Sequence, residues 1–146
     1  MWRLWICLTL AACGAARDAV AVPPRPTVGL RSVAFVAEPP RHGWGGFAEG
    51  DAIEVTSVEG DRPTCAEGGT YVVHVRYTLS SRARAHVQVF QTGLDAKSES
   101  EGVDVVRGSG ELNLPLKIIA TGRPHASFYP LDHGEQFGGV YFRCDR

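Results

Sequence analysis

The stretch Thr70-Tyr71-Val72-Val73-His74-Val75-Arg76-Tyr77-Thr78-Leu79 decides the fold class. Tyr71, Val73, Val75, Tyr77 and Leu79 fall on one side of a period of two, with His74, Arg76 and Thr78 on the other. That is the pattern of a β-strand with one face in a core. The next segment, Arg84 to Gln91, repeats it with Ala85, Val87 and Val89 inward. A short Ser80-Ser81-Arg82-Ala83 connection between the two segments predicts a hairpin.

The same period recurs on both sides. Ile53 and Val55 share a face of a strand over about 51–58, and Val33 and Phe35 share one of a strand near 31–36, closed by Pro39-Pro40. Downstream, Val103–Arg107 runs into Gly108-Ser109-Gly110, read as a turn, and Leu112, Leu114, Leu116 and Ile118 then alternate strictly. Pro115 has no amide hydrogen for a ladder, which predicts an edge or a bulge there. Gly93–Gly102 reads as a solvated, mobile loop. Two last strands, 125–129 and 140–144, flank an Asp132-His133-Gly134-Glu135 turn. Seven or eight short strands without a helix-period segment predict an antiparallel β-sandwich of immunoglobulin-like or fibronectin-like size, with a small β-barrel as the alternative.

The N-terminus gives an address. Met1-Trp2-Arg3 precedes an apolar run from Leu4 to Ala12, of about nine residues. That suits a secretory signal of roughly 7–15 and falls short of the roughly 20 needed to span a bilayer. Its end, Leu10-Ala11-Ala12-Cys13, resembles the bacterial lipobox. The resemblance implies cleavage before Cys13, lipidation of that thiol, and anchoring by acyl chains in place of a transmembrane helix. Residues 1–12 are then signal peptide, 13–30 a lipidated cysteine with a tether containing Val22-Pro23-Pro24-Arg25-Pro26, and 31–146 the β domain. Gly14, where an inner-membrane retention signal would place Asp, favours the outer membrane in a host that has one. The competing site, Ala19-Val20-Ala21, would release a secreted or periplasmic protein.

Cysteine usage agrees with export. Cys7 leaves with the signal and Cys13 takes lipid, so Cys65 and Cys144 remain, and an even pair in an oxidising compartment predicts a disulfide. No CxxC pair offers redox or thiolate-zinc chemistry. Fifteen Lys and Arg against sixteen Asp and Glu give a formal charge of -1, which supplies no electrostatic footprint for nucleic acid. Arg82 and Arg84, the one close pair away from the chain end, read as solvated loop charge.

Segments around Trp44-Gly45-Gly46-Phe47, Arg107-Gly108-Ser109-Gly110, Pro124-His125-Ala126-Ser127-Phe128-Tyr129-Pro130 and Phe137-Gly138-Gly139-Val140-Tyr141-Phe142 are similar to an uncharacterised module of exported bacterial proteins. The resemblance implies a folded exported domain and brings no catalytic residue with it.

Chemistry is sparse. Gly108-Ser109-Gly110 lacks the setting of a nucleophile elbow, and neither a phosphate loop nor HExxH occurs. No cofactor is expected, and the sequence points away from an enzyme. His74 and His86, placed outward on neighbouring strands, form at most a two-imidazole pair, a weak metal site. His125, Asp132, His133 and Glu135 gather imidazole and carboxylate at a strand end and its turn. They form the candidate metal site, although a solvated turn is the favoured reading. Trp44, Phe47, Phe137 and Tyr141 flank two glycine pairs, either as plugs at the ends of the core or as a contact platform for a partner protein or a sugar. The expected function is therefore a membrane-attached lipoprotein of the cell envelope whose β domain contacts a protein. A carbohydrate-binding module and a secreted protein with a metal site are the alternatives.

Overall fold

The computed structural model describes residues 29–38, 46–132 and 134–144. The described elements are β1 (Arg31–Ser32), β2 (Phe35–Glu38), β3 (Ala52–Gly60), β4 (Thr70–Thr92), β5 (Lys97–Ser100), β6 (Val103–Ala120), β7 (Arg123–Tyr129) and β8 (Gly138–Cys144). All pair antiparallel in one hydrogen-bonded sheet, ordered β1-β3-β4-β7-β8-β2, with β6 along the other side of β4 and β5 beside β6. Among the described residues there is no helix, so none long and apolar enough to cross a membrane.

Two strands carry the architecture, and both correct the sequence reading. β4 is a single 23-residue strand, not a hairpin, and β6 is a single 18-residue strand, with Gly108-Ser109-Gly110 inside it. They pair from Thr70↔Lys117 to Leu79↔Gly108, and again from Arg84↔Val106 to Val87↔Val103. Between these stretches residues 80–83 face only Arg107. A bulge of this size bends the ribbon, as at the corners of orthogonally packed sheets. Each half of β4 then takes a different second neighbour: the first half pairs with β3 and the second with β7.

The sheet therefore curls into a half-barrel of two layers. The first layer holds β1, β3, the first half of β4, the second half of β6, and β5. In the second lie the first half of β6, the second half of β4, β7, β8 and β2. Their inner faces meet in one core, where Tyr71, Val73, Leu114 and Ile118 of the first layer and Ala85, Val87, Val89, Ala126 and Phe128 of the second are fully buried. Every residue read as inward on β3 and β4 is in that core. Leu112 packs against its edge.

The corner is held from outside the ribbon. Ser80 and Ser81 lie outside the ladder with β6, so their amides need other acceptors. Asp51 Oδ1 accepts from Ser80 N at 2.7 Å and Ser81 N at 2.9 Å, and both serine hydroxyls also donate to this carboxylate. Burial works against the charged form, but these bonds outweigh it and hold the Asp51 carboxyl below 3.8. Gly50 has φ +80°, and a Cβ there would come within 2.5 Å of Ser80 Oγ. Glycine is thus required where the chain passes the corner.

The ends of the sheet path, β1 and β2, are consecutive in the chain, and two features fasten this seam. Val33 crosses between the layers, donating its amide to Val58 O at 2.8 Å. The Cys65–Cys144 disulfide joins the loop after β3 to the end of β8, 79 residues apart in sequence. Tyr71 anchors the same loop: its hydroxyl donates to Thr64 O at 2.5 Å and accepts from Ala66 N at 2.9 Å. Its ring is so closely enclosed that a Cβ on Gly60 or Gly69 would overlap it.

Two further segments depart from expectation. Residues 97–100, inside the stretch read as a mobile loop, form β5 and pair with β6 from Leu116 to Ala120. The 31–36 strand is two short strands with different partners, β3 and β8. Pro115 lies one residue beyond the last β5 partner, Leu116, on the part of β6 that is a sheet edge, as its missing amide hydrogen predicts.

Candidate functional site on the aromatic outer face

The outward positions of the first layer are mostly polar, and its ion pairs are exposed. Arg76 bridges Glu54 at 3.1 Å and Glu111 at 3.2 Å, Lys117 meets Glu99 at 2.9 Å, and His74 meets Asn113 at 2.7 Å. The second layer differs, because its outward row Phe90↔His125↔Tyr141↔Glu38 crosses four strands and is largely covered. On β7, outward residues are buried as well as inward ones: His125 is 2% exposed and Ser127 0%.

His125 lies between two rings, with centroids 3.9 Å from Phe90 and 4.7 Å from Tyr141. Its Nδ1 is 3.0 Å from Thr92 Oγ1. Burial, aided by the nearby Arg123 charge, lowers its pKa to about 4 against hydrogen bonds to the Arg123 backbone and the Gln136 side chain. The imidazole is therefore neutral near pH 7. Arg123 sits 4.7 Å over the Tyr141 ring and pairs with Glu38. Tyr129 closes the row 5.7 Å from Phe90, and its hydroxyl lies 3.4 Å from Gln136 Oε1. Burial pushes that hydroxyl up to about 12, with Tyr141 adding to the shift, so it remains a neutral donor.

Close packing at β8 depends on the glycine pair. A Cβ on Gly139 would lie 2.2 Å from Ser127 Oγ, and one on Gly138 would lie 2.5 Å from the Phe47 ring. The pair lets both faces of β8 approach their neighbours. It also divides the aromatic residues read as a single platform. Phe47 and Phe137 pack on Phe128 at one end of the core, with ring centroids at 6.2 and 5.5 Å, whereas Tyr141 lies on the outer face. Trp44 and Cys13 are outside the described residues.

The described residues of the candidate metal site differ in their surroundings. His125 is enclosed by rings, Asp132 and Glu135 are exposed in the following loop, and His133 is outside the described residues. Among the described residues, no three His, Cys, Asp or Glu side chains converge as a metal-binding group. His74 and His86 occupy different halves of one strand. His86 Nδ1 meets Asp104 Oδ1 at 2.7 Å, and a Cβ on Gly102 would come within 2.0 Å of its Nε2, so Gly102 covers that side of the ring.

Sequence reading passed over Phe90, Thr92, Arg123 and Gln136. Phe90 is the one with a signal, as an aromatic residue at an outward position of a strand otherwise polar on that side. What the cluster provides is recognition chemistry: packed rings, the Arg123–Glu38 ion pair, and neutral hydrogen-bonding groups. Comparison with protein-family models, curated proteins and solved structures finds no match.

Proposed function

We propose that this chain is a lipid-anchored protein of the cell envelope, in the outer membrane where the host has one, and that its β domain is a binding module that contacts another protein through the outer face of the second layer. The observation that carries the reading is the Phe90–His125–Tyr141 row with Arg123 beside it. Aromatic and arginine side chains dominate binding energy at protein interfaces, and here rings stand beside the Arg123–Glu38 ion pair. The Cys65–Cys144 disulfide suits an oxidising compartment, and Leu10-Ala11-Ala12-Cys13 supplies the anchor. In this reading the curled sheet does the work of an immunoglobulin-like sandwich, as a rigid two-layered support.

Fractionation and site-specific photo-crosslinking in cells test both parts. Wild type is expected with membranes and Cys13→Ala in the soluble fraction. If both fractionate as soluble protein, the anchor is lost as an idea and secretion replaces it. A photo-reactive residue at Tyr141 should give a discrete crosslinked protein that the same residue at Arg76 does not. Equal labelling from both positions would remove the assignment of this face.

A further inference from the structure

The fold assembles a third surface that no stretch of sequence contains. At the corner, Arg107 of β6 faces residues 80–83 of β4, which brings it to Arg82 and Arg84. All three are exposed. Arg107 Nε donates to Arg82 O at 3.3 Å, and the Arg82 guanidinium lies 4.0 Å over the Phe137 ring. Arg84 is the cross-strand partner of Val106, which is 62% exposed.

Elsewhere on the sheet, Arg76 is matched with Glu54 and Glu111, Lys117 with Glu99, and Arg123 with Glu38. At the corner none of the three guanidiniums has a carboxylate partner among the described residues. Of the acidic residues nearby, exposed Glu49 meets Ser80 Oγ through its backbone oxygen at 3.0 Å, and two others are already engaged. Asp51 holds Ser80 and Ser81, and Asp104 holds His86. The chain as a whole is nearly neutral, so the corner gathers exposed guanidiniums on a protein that is not basic overall.

We infer that the corner is a second docking surface, and that its occupant is an acidic segment of a partner protein. Guanidinium forks match carboxylates in pairs, and the exposed Val106 opposite Arg84 suits a peptide with side chains of both kinds. Position argues for a protein over the anchoring bilayer, a step that rests on the lipid-anchor reading above. The chain enters the domain at Arg31, paired with Gly60, which in turn pairs with Tyr71. Leu79 at the corner is eight positions further along β4, roughly 27 Å at strand rise. The arginines therefore sit at the far end of the first layer from the tether.

The test is fluorescence anisotropy of the full-length purified protein with a labelled deca-glutamate peptide at low salt. Wild type should bind, with affinity falling steeply between 50 and 200 mM salt as ion pairs are screened. Arg82→Ser/Arg84→Ser/Arg107→Ser should weaken binding by about tenfold or more, while Arg76→Ser should change it by less than about twofold. The triple lysine variant keeps the charge without the fork and should fall between the two, which separates a lost surface from a lost fold. Cys13→Ala and Tyr141→Ala should bind the peptide as wild type does, so failure of the anchor or of the aromatic face is read separately. Absence of wild-type binding, or equal binding by the triple serine variant, would overturn the inference. Binding to phosphatidylglycerol vesicles but not to the peptide would also overturn it, and assign the corner to a membrane.

Discussion

On the first layer, outward positions of β3, β4 and β6 hold Glu54, Arg76 and Glu111; on the second, outward positions of β4, β7 and β8 hold Phe90, His125 and Tyr141. The alternation is the same on both. On the first layer it separates core from solvent, since Arg76, Glu54 and Glu111 side chains are all more than half exposed. On the second the outward set is itself partly covered: Phe90 and Tyr141 are half-buried, and His125 is covered as fully as the core valines. A period of two thus identifies which residues share a face, and composition decides whether that face is wet.

The largest effect is expected where the layers are stapled. The Cys65–Cys144 bond closes a loop of 79 residues, which in the chain-entropy model is worth about 4–5 kcal/mol. Cys65→Ser/Cys144→Ser should lower stability toward that limit, measured as the denaturant midpoint against wild type under non-reducing conditions. Because the bond lies at the seam shared by both layers, the two faces should unfold in one transition. Separate transitions would mean that the layers are independent and that the contrast between them is one between two units.

The second effect belongs to one face alone. His125 has a folded pKa of about 4 against 6.5 for the free side chain. Its folded value is depressed, so the unfolded chain binds the extra proton between those limits. The contribution is complete above pH 6.5 and is lost as pH falls toward 4, about 3 kcal/mol over that window. Asp51 acts lower on the scale: its carboxyl is held below 3.8, so its bonds to the corner persist at pH 4.5 and weaken only in stronger acid. Denaturant midpoints at pH 7.5 and 4.5 should therefore differ more for wild type than for His125→Gln, which has nothing to protonate. Identical pH responses would show that the imidazole is wetter than its packing implies.

Much of this organisation is legible in the sequence, and the parts that are not share a physical cause. Tyr71 to Leu79 and Ala85 to Val89 declare their inward faces because alternation is local. The links between segments are not local. Ser80-Ser81-Arg82-Ala83 and Gly108-Ser109-Gly110 have the small, polar and glycine residues of turns, yet Leu79 pairs with Gly108 and Thr78 with Ser109, so the two segments are opposite sides of one bend. A turn and a corner use the same residue chemistry, and only the cross-strand partner distinguishes them. The disulfide is legible from cysteine number, and His125 stands out as a polar residue in an apolar strand. Its surroundings do not, because Phe90 and Tyr141 reach it from β4 and β8 across the sheet. The same is true of Arg107, which meets Arg82 only once the ribbon bends.

The smallest effects test the contrast most directly, through truncations at equivalent outward positions of β4. Phe90→Ala removes a half-buried ring and uncovers one side of His125. At roughly 25 cal/mol per Å² of apolar surface, it should cost about 2 kcal/mol. Arg76→Ala removes two ion pairs from the charged face, but all three side chains are well exposed. Solvent screening and the entropy of holding long side chains leave such pairs worth less than about 1 kcal/mol. Thermal or denaturant midpoints of the two variants should separate accordingly, and added salt should narrow the gap between Arg76→Ala and wild type while leaving the Phe90→Ala deficit in place. If Arg76→Ala proved the more damaging, the outer face of the first layer would be acting as structure, and the aromatic row as the ordinary surface.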